Sequence, residues 1–317
     1  MRRLRTATCA RELEALRSLW QLLERSPGAT VFQSYLWTLA AARHLGDRER
    51  PHVIALETDS GAAIVPAAFP GGGGVTFLGE MLFDYRDVLA VGDPGVLDLA
   101  LAELGKTGRE LWLPAVREDA TIEHGAREPW VGAPVLRRAR TTPERFHQDH
   151  YRGRKQRRRL EKAGATFERY QGDAARLLDW IYRRKALQFA GSGLDILSDP
   201  VRRACMLEIC ARSGPRCEVF TIELGSSVVA ALVTFRELAV RRLYTVWHDP
   251  AREDLSPGIV LFLHVAQLSL EEGLDVDFLT GEQPYKARLT TDRVQLYRLR
   301  ATAAELLGAE STLPLAA

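Results

Sequence analysis

Cysteine is scarce in this chain of 317 residues: there are four, and three of them (Cys205, Cys210 and Cys217) are spaced five and seven apart. That spacing fits no common zinc pattern, no histidine lies close by in sequence, and four thiols in so long a chain are no disulfide framework. Buried thiols are the expectation, and no metal site is assigned. Long apolar runs are missing too. None reaches the length of a membrane span, and the opening stretch MRRLRTATCARELEAL lacks the apolar centre of a signal peptide. The expectation is therefore a cytoplasmic protein without a transmembrane segment. Charge of one sign is also lacking. With 43 basic and 41 acidic residues the net charge is +2, so overall charge points to no class of partner. What remains is an ordinary globular composition, long enough for two compact domains.

Periodicity and turn residues outline those domains. In the first half, residues 11–24 and 35–45 read as amphipathic helices. Residues 52–57 and 62–69 read as strands joined at Asp59-Ser60-Gly61. After Gly71 to Gly74 come strand-like runs at 75–78 and 87–91, a helix opened by Pro94-Gly95 and running to Lys106, and a strand at 110–113. The second half repeats that order. Helices at 173–188 and 199–212 precede strands at 218–224, 228–236 and 241–247. A helix opened by Pro257-Gly258 and a strand at 276–279 follow. The two Pro-Gly starts lie 163 positions apart, and the strands beginning at His52 and Glu218 lie 166 apart. Equal spacing of like elements predicts two copies of one α/β unit, at residues 1–140 and 141–317, joined across Thr141 to Gly164.

The helix after Pro257 carries the most information. It is apolar on almost every side from Ile259 to Leu270, so it is buried. Ser256 is placed to cap it and Pro257 to start it. Its N-terminus, with unpaired N–H groups and the positive end of the helix dipole, is suited to an anion. The strand before it ends at Trp247-His248, and the strand after it leads into Gly281 and Tyr285-Lys286. The arrangement predicts a protein that holds a phosphate-bearing or acyl-carrying partner beside two neighbouring parallel strands.

The order helix–helix–three strands–helix–strand, met twice, resembles tandem copies of the GNAT acyltransferase fold. More narrowly, FQSYLW (Phe32 to Trp37), RGRKQRRRLEKAG (Arg152 to Gly164), SPG (Ser256 to Gly258) and DFLTGEQPYK (Asp277 to Lys286) are similar to the CelD/BioF2-like acetyltransferases. These are relatives of the Fem-type ligases, which transfer amino acids from aminoacyl-tRNA. The resemblance covers nearly the whole chain. It implies acyl-CoA (acetyl-CoA) as co-substrate, an amine acceptor in a cleft between the domains, and a link to exopolysaccharide or cell-envelope synthesis. The loop Arg252 to Gly258 departs from the GNAT pattern Q/R-x-x-G-x-G/A. It has one glycine and two acids, and Pro257 removes a donor. That departure brings acyl-carrier protein or aminoacyl-tRNA in as competing carriers. Where Fem-type ligases usually carry a lysine shortly after the tryptophan, Ala40 to Ala42 follow Trp37, which weakens the case for a UDP-linked cell-wall acceptor.

The candidate site residues follow from position and resemblance. Lys286 is a stabiliser of the developing oxyanion or of a carrier thiolate, directed into the interdomain cleft, or else a surface-turn lysine. Tyr285 is a proton donor to the leaving group. Asp277 is a buried structural carboxylate or a base acting through water, and His248 is a base for the amine or a turn cap. Arg252, Ser256, Gly258 and Ile259 are placed to hold the carrier phosphates. From Arg152 to Lys162 seven of eleven residues are basic, with Arg154 and Arg158 on one helical face. That face either contacts a phosphate-rich carrier or is a charged surface helix. Asp84, Tyr85 and Arg86, with Glu282, are acceptor-binding candidates, and a salt-bridged turn is the alternative for FDYRD (Phe83 to Asp87). Together these predict an N-acyltransferase working by direct transfer, without metal or covalent intermediate. The alternatives are a Fem-like aminoacyl-tRNA-dependent transferase and a non-catalytic nucleic-acid or polysaccharide-assembly module that keeps the fold.

Overall fold

In a computed structural model of the chain, the described residues are 2–172, 174–191 and 196–308. They divide into two compact units. Among them, one comprises residues 2–131, 204–206 and 295–308; the other comprises 132–172, 174–191, 196–203 and 207–294. The division falls at 131/132 rather than at 140/141, and the last strand returns to the first unit. The C-terminal boundary was hidden because that strand had no recognised pattern in the sequence.

The first unit opens with β1 (Arg3–Ala7), which the sequence reading left unassigned. The helix expected over 11–24 is broken into α1 (Ala10–Glu14) and α2 (Arg17–Leu23), and α3 is Tyr35–His44. Strands β2 (Glu49–Pro51), β3 (Val53–Glu57), β4 (Gly61–Val65), β5 (Ala67–Pro70), β6 (Thr76–Phe77) and β7 (Leu89–Gly92) follow. Pro66 separates β4 from β5, where one strand over 62–69 was expected, because proline cannot donate to a ladder. Helix α4 (Gly95–Gly105) and β8 (Leu111–Arg117) complete this part. The ladder β1-β3-β4-β7 is antiparallel throughout, and β2-β5-β6 form a second small sheet. The core packs Ile54, Leu56, Val65, Phe77, Leu101 and Leu113 together.

Strand β9 (Ala126–Leu136) leads into the second unit, followed by α5 (Pro143–Asp149), the basic helix α6 (Tyr151–Lys162) and β10 (Ala165–Gln171). Then come α7 (Ala175–Gln188), α8 (Pro200–Ser213), β11 (Cys217–Leu224), β12 (Ser227–Arg236) and β13 (Val240–His248). The start expected for α7, Asp173, lies outside the described residues. Helix α9 (Pro257–Glu271), β14 (Asp275–Asp277) and the short α10 (Pro284–Ala287) end this unit. Strand β15 (Asp292–Ala301) and helix α11 (Ala303–Gly308) return to the first unit, where β15 pairs antiparallel with β8.

In the second unit the strands run β10-β11-β12-β13-β14-β9. All neighbours are antiparallel except β13 and β14, which are parallel because α9 crosses between them. Helix α9 packs Val260, Leu261, Phe262, Val265 and Ala266 onto Phe220, Leu232, Leu243 and Val276. No residue from Pro257 to Leu270 is exposed, as expected of a helix apolar on nearly every side. Cys205, Cys210 and Cys217 are free and buried, while Cys9 is exposed. Among the described residues no helix is long and apolar enough to cross a membrane.

Candidate functional site

The parallel pair β13·β14 is short. Its register covers Val240↔Asp275, Arg241↔Val276 and Arg242↔Asp277. Beyond Arg242, β13 runs on to His248 with no strand on that edge among the described residues. The chain after Asp277 instead keeps to β9, where Phe278 N–H donates to Pro134 O (3.0 Å) and Gly281 N–H to Gly132 O (3.1 Å).

A bulge at the point of divergence changes which residues address the open edge. Thr234 pairs with Leu243 but Val233 pairs with Thr245, leaving Tyr244 as the extra residue. Before the bulge, Asp275 N–H donates to Ala239 O (2.9 Å), so Arg241 and Leu243 turn their main-chain groups toward β14. After it, Asp249 N–H donates to Val229 O (2.9 Å), so Thr245 and Trp247 face β12. The alternation of a ladder then directs the main-chain groups of Val246 and His248 to the open edge.

The N-terminus of α9 lies at the same place. Gly258 faces the His248 ring so closely that a Cβ there would sit 3.3 Å from Nδ1, and that contact accounts for glycine in this loop. Ser256 does not cap the helix, contrary to expectation. It takes a left-handed conformation (φ 49°, ψ 48°), makes no side-chain cap, and its Oγ donates to Glu253 O at 3.4 Å. The first-turn N–H groups of Gly258 and Ile259 are thus left without a side-chain acceptor from Ser256. Asp249 caps the preceding turn, Pro250–Leu255, through Ala251 N–H (3.0 Å). Arg252, in that turn, is exposed.

The loop after β14 corrects one expectation. Lys286 does not project into a cleft. It is buried, and its Nζ donates to Phe278 O (2.8 Å) and Thr280 O (3.0 Å), so the ammonium ties down the strand-end loop. Between those carbonyls Leu279 sits at φ 58°, held by its N–H donating to Asp277 Oδ1 (2.8 Å). Asp277 is the structural carboxylate of the two readings: its other oxygen accepts from Arg242, its cross-strand partner, which also grips Glu237 (2.7 Å).

Tyr285 is better placed for chemistry. Its half-buried ring stacks on Phe262 of α9, at 5.4 Å and 24°, and Phe262 in turn packs on Phe278 at 5.7 Å. Burial raises the phenol above its ordinary value of 10.0, so it is protonated at neutral pH and donates rather than accepts a proton.

The basic helix α6 packs along α9. Gly153 allows the close approach, since a Cβ there would lie 2.0 Å from Leu263 Cδ1. Arg157 donates to His264 Nδ1 (3.3 Å), packs over Phe167 at 4.7 Å and pairs with Glu161 (2.8 Å). Burial first, then the nearby Arg157, pushes His264 down to about 4, which keeps the ring neutral and able to accept. Arg159 reaches Asp254 O (3.4 Å) in the turn before α9. Arg154 is half-buried against Tyr151 and donates to Gln148 O (3.4 Å), while Arg158 is exposed and carries no ion pair among the described residues. With Lys155 and Lys162 they line a groove of about 240 Å³.

The FDYRD segment, in the first unit, is structural. Tyr85 and Arg86 are 2% and 3% exposed. Arg86 donates to Phe77 O (3.0 Å), Leu78 O (2.6 Å) and Glu80 O, and Tyr85 packs edge-on to Phe32 at 5.5 Å. Asp87 accepts from Val88, Thr121 and Ile122 N–H groups. These residues hold a loop rather than face an acceptor, and Asp84 beside them is half-buried. Glu282, in the second unit, is ion-paired with Arg293. The bulge at Tyr244 was invisible in the sequence, because it appears only when two strands are placed in register.

Residues 148–287 match the family model described as an acetyltransferase (GNAT) domain. No curated protein matches the chain. Among solved structures, it is similar to the C-terminal domain of a putative lysylphosphatidylglycerol synthetase from Agrobacterium fabrum. That likeness has 11% identity and a TM-score of 0.58, and covers 95% of each chain. It is also similar to FemX, with 10% identity and a TM-score of 0.59, over 93% of this chain and 96% of that one. A tandem GNAT protein from the clavulanic acid pathway matches with 11% identity and a TM-score of 0.50, over 96% of this chain and 99% of that one. At such identities the likeness is one of fold.

Proposed function

We propose that this protein, whose residues 148–287 match an acetyltransferase (GNAT) domain and which has the fold of tandem-GNAT and Fem-like proteins, transfers an acyl group from a phosphate-bearing carrier to an amine, in its second unit. The observation that carries this reading is the edge of β13 opened by the bulge at Tyr244, with the N-terminus of α9 beside it. An open strand edge hydrogen-bonds an extended carrier arm as an added strand would. The first turn of α9, at Gly258 and Ile259, suits the carrier's phosphate, with Arg252 in reach of its outer oxygens.

The chemistry then follows from position. The main-chain N–H of Val246 holds the acyl oxygen and stabilises it as the amine nitrogen attacks and charge develops. The amine gives its proton to His248. As the carbon–sulfur or carbon–oxygen bond breaks, Tyr285 supplies a proton to the leaving atom. Lys286 and Asp277 act indirectly, by fixing the loop and strand that set the opening. The acceptor is an amine, and the sequence resemblance favours one from envelope or exopolysaccharide synthesis.

The test is donor consumption. Acetyl-CoA and longer acyl-CoAs, offered with a panel of amines, should release free thiol only when enzyme and amine are both present. A second reading, transfer from aminoacyl-tRNA, is favoured by the basic face of α6, which is larger than one coenzyme needs. It predicts amine-dependent deacylation of charged tRNA with a steep salt dependence. Failure of both donors would overturn the proposal.

A further inference from the structure

On the solvent side of the first unit, β15 lies between β9 and β8, and the three strands expose an unusual row of side chains. Trp112 on β8 and Trp130 on β9 are 42% and 41% exposed. Arg300 is the direct cross-strand partner of Trp112, and Arg298 packs over the Trp130 ring at 5.3 Å. The face is set by the core behind it: Leu111, Leu113, Leu299 and Ala301 are fully buried, which turns Trp112, Arg298 and Arg300 outward. Neither Arg298 nor Arg300 pairs with a carboxylate among the described residues. The two indoles stand on strands separated by β15.

Two half-exposed indoles cost free energy in water, and two unpaired guanidiniums set among them attract anions. A partner that satisfies both carries flat apolar rings and negative charge in regular alternation. We propose that this face binds single-stranded nucleic acid, with bases stacked on Trp112 and Trp130 and backbone phosphates on Arg298 and Arg300. Charge complementarity selects this occupant over a neutral glycan or a second copy of the chain, which offer no anion to the two arginines. Glu128, two residues before Trp130 and on its side of β9 by alternation, opposes the arginines. It therefore weakens binding. The proposal is independent of acyl transfer, since it lies in the first unit and uses none of the residues placed in the reaction.

Quenching of tryptophan fluorescence by RNA and DNA oligonucleotides of about ten residues tests it in the full chain. Saturable quenching is expected, with Trp112→Ala and Trp130→Ala each weakening binding about ten-fold or more. Arg298→Ala with Arg300→Ala should flatten the log–log salt dependence by about 1.4, at about 0.7 per phosphate. Glu128→Gln should tighten binding. All five positions face solvent, so melting curves should match that of the parent protein. Several results would overturn the proposal. One is no saturable binding; another is binding that both tryptophan variants leave intact, which would place the nucleic acid on α6 instead. Quenching by a neutral oligosaccharide but not by oligonucleotide would do so too, as would a concentration-dependent dimer abolished by Trp112→Ala.

Discussion

Tyr285 and Lys286 are neighbours with opposite fates. A lysine ammonium donating to two main-chain carbonyls in a buried loop holds structure, and its removal leaves those acceptors unpaired. Lys286→Ala should therefore lower stability by about 1–3 kcal/mol, read as a drop in melting temperature, with any loss of turnover following from the loosened loop. A variant with unchanged melting would return Lys286 to a purely chemical role. Tyr285→Phe keeps the ring stack on Phe262 and removes only the hydroxyl. Turnover should fall about a hundred-fold with melting unchanged. Because burial raises the phenol, wild-type activity limited by this group should decline only at strongly alkaline pH, as the proton is lost. An undiminished Tyr285→Phe enzyme would remove the residue from the mechanism.

Helix α9 is where two elements depend on one glycine. A side chain at 258 must push against the His248 ring, so Gly258→Val should raise the KM for the donor about ten-fold or more and leave the fold intact. His248→Ala should relieve part of that binding defect in the double variant, a coupling that independent sites would not show. The seam between α6 and α9 depends on a neutral histidine. His264 is depressed from its ordinary 6.5 to about 4 in the folded chain. Its contribution is thus whole above 6.5, shrinks as pH falls, and is gone near 4, because the unfolded chain binds the proton first. Amide exchange along residues 153–162 should quicken between pH 6.5 and 4, and His264→Gln should abolish that change. Exchange independent of pH over this interval would show that the seam does not rest on His264.

At the scale of the whole molecule, the two units answer acid differently. In the first, burial raises Glu49 and Asp87 above their ordinary 4.5 and 3.8, so protonating them favours the fold as pH falls from neutrality toward those values. In the second, burial also works against the charge on Glu218 and Glu272, but Arg241 and Arg169 outweigh it and hold both below the ordinary 4.5. Their contribution is present above 4.5 and is lost as pH falls through the depressed values. Hydrogen exchange measured unit by unit should show the first unit gaining protection as pH falls toward the ordinary carboxylate values. Outside the α6–α9 seam, the second should lose protection only below 4.5, and Arg241→Met should reduce that acid response. A uniform response of both units would contradict this assignment.

Local and periodic features were legible without tertiary structure. The helix-start signals before α4 and α9, the burial of α9, the α/β element order and the basic helix all follow from propensity and pattern within a few turns of chain. The resemblance carried by SPG and GEQPYK pointed to the stretch in which the site is proposed. What only the folded chain decided depends on partners distant in sequence. Strands β1, β9, β10 and β15 gain their edges from neighbours far along the chain, and the bulge at Tyr244 exists only in register with β12. Whether a polar side chain holds or reacts was decided the same way. Lys286, Asp277, Tyr85 and Arg86 looked chemically active as residue types, and the carbonyls, arginine and aromatic rings that surround them make them structural. The exposed indoles of Trp112 and Trp130 show the converse, since only the sheet reveals that they stand on its solvent face.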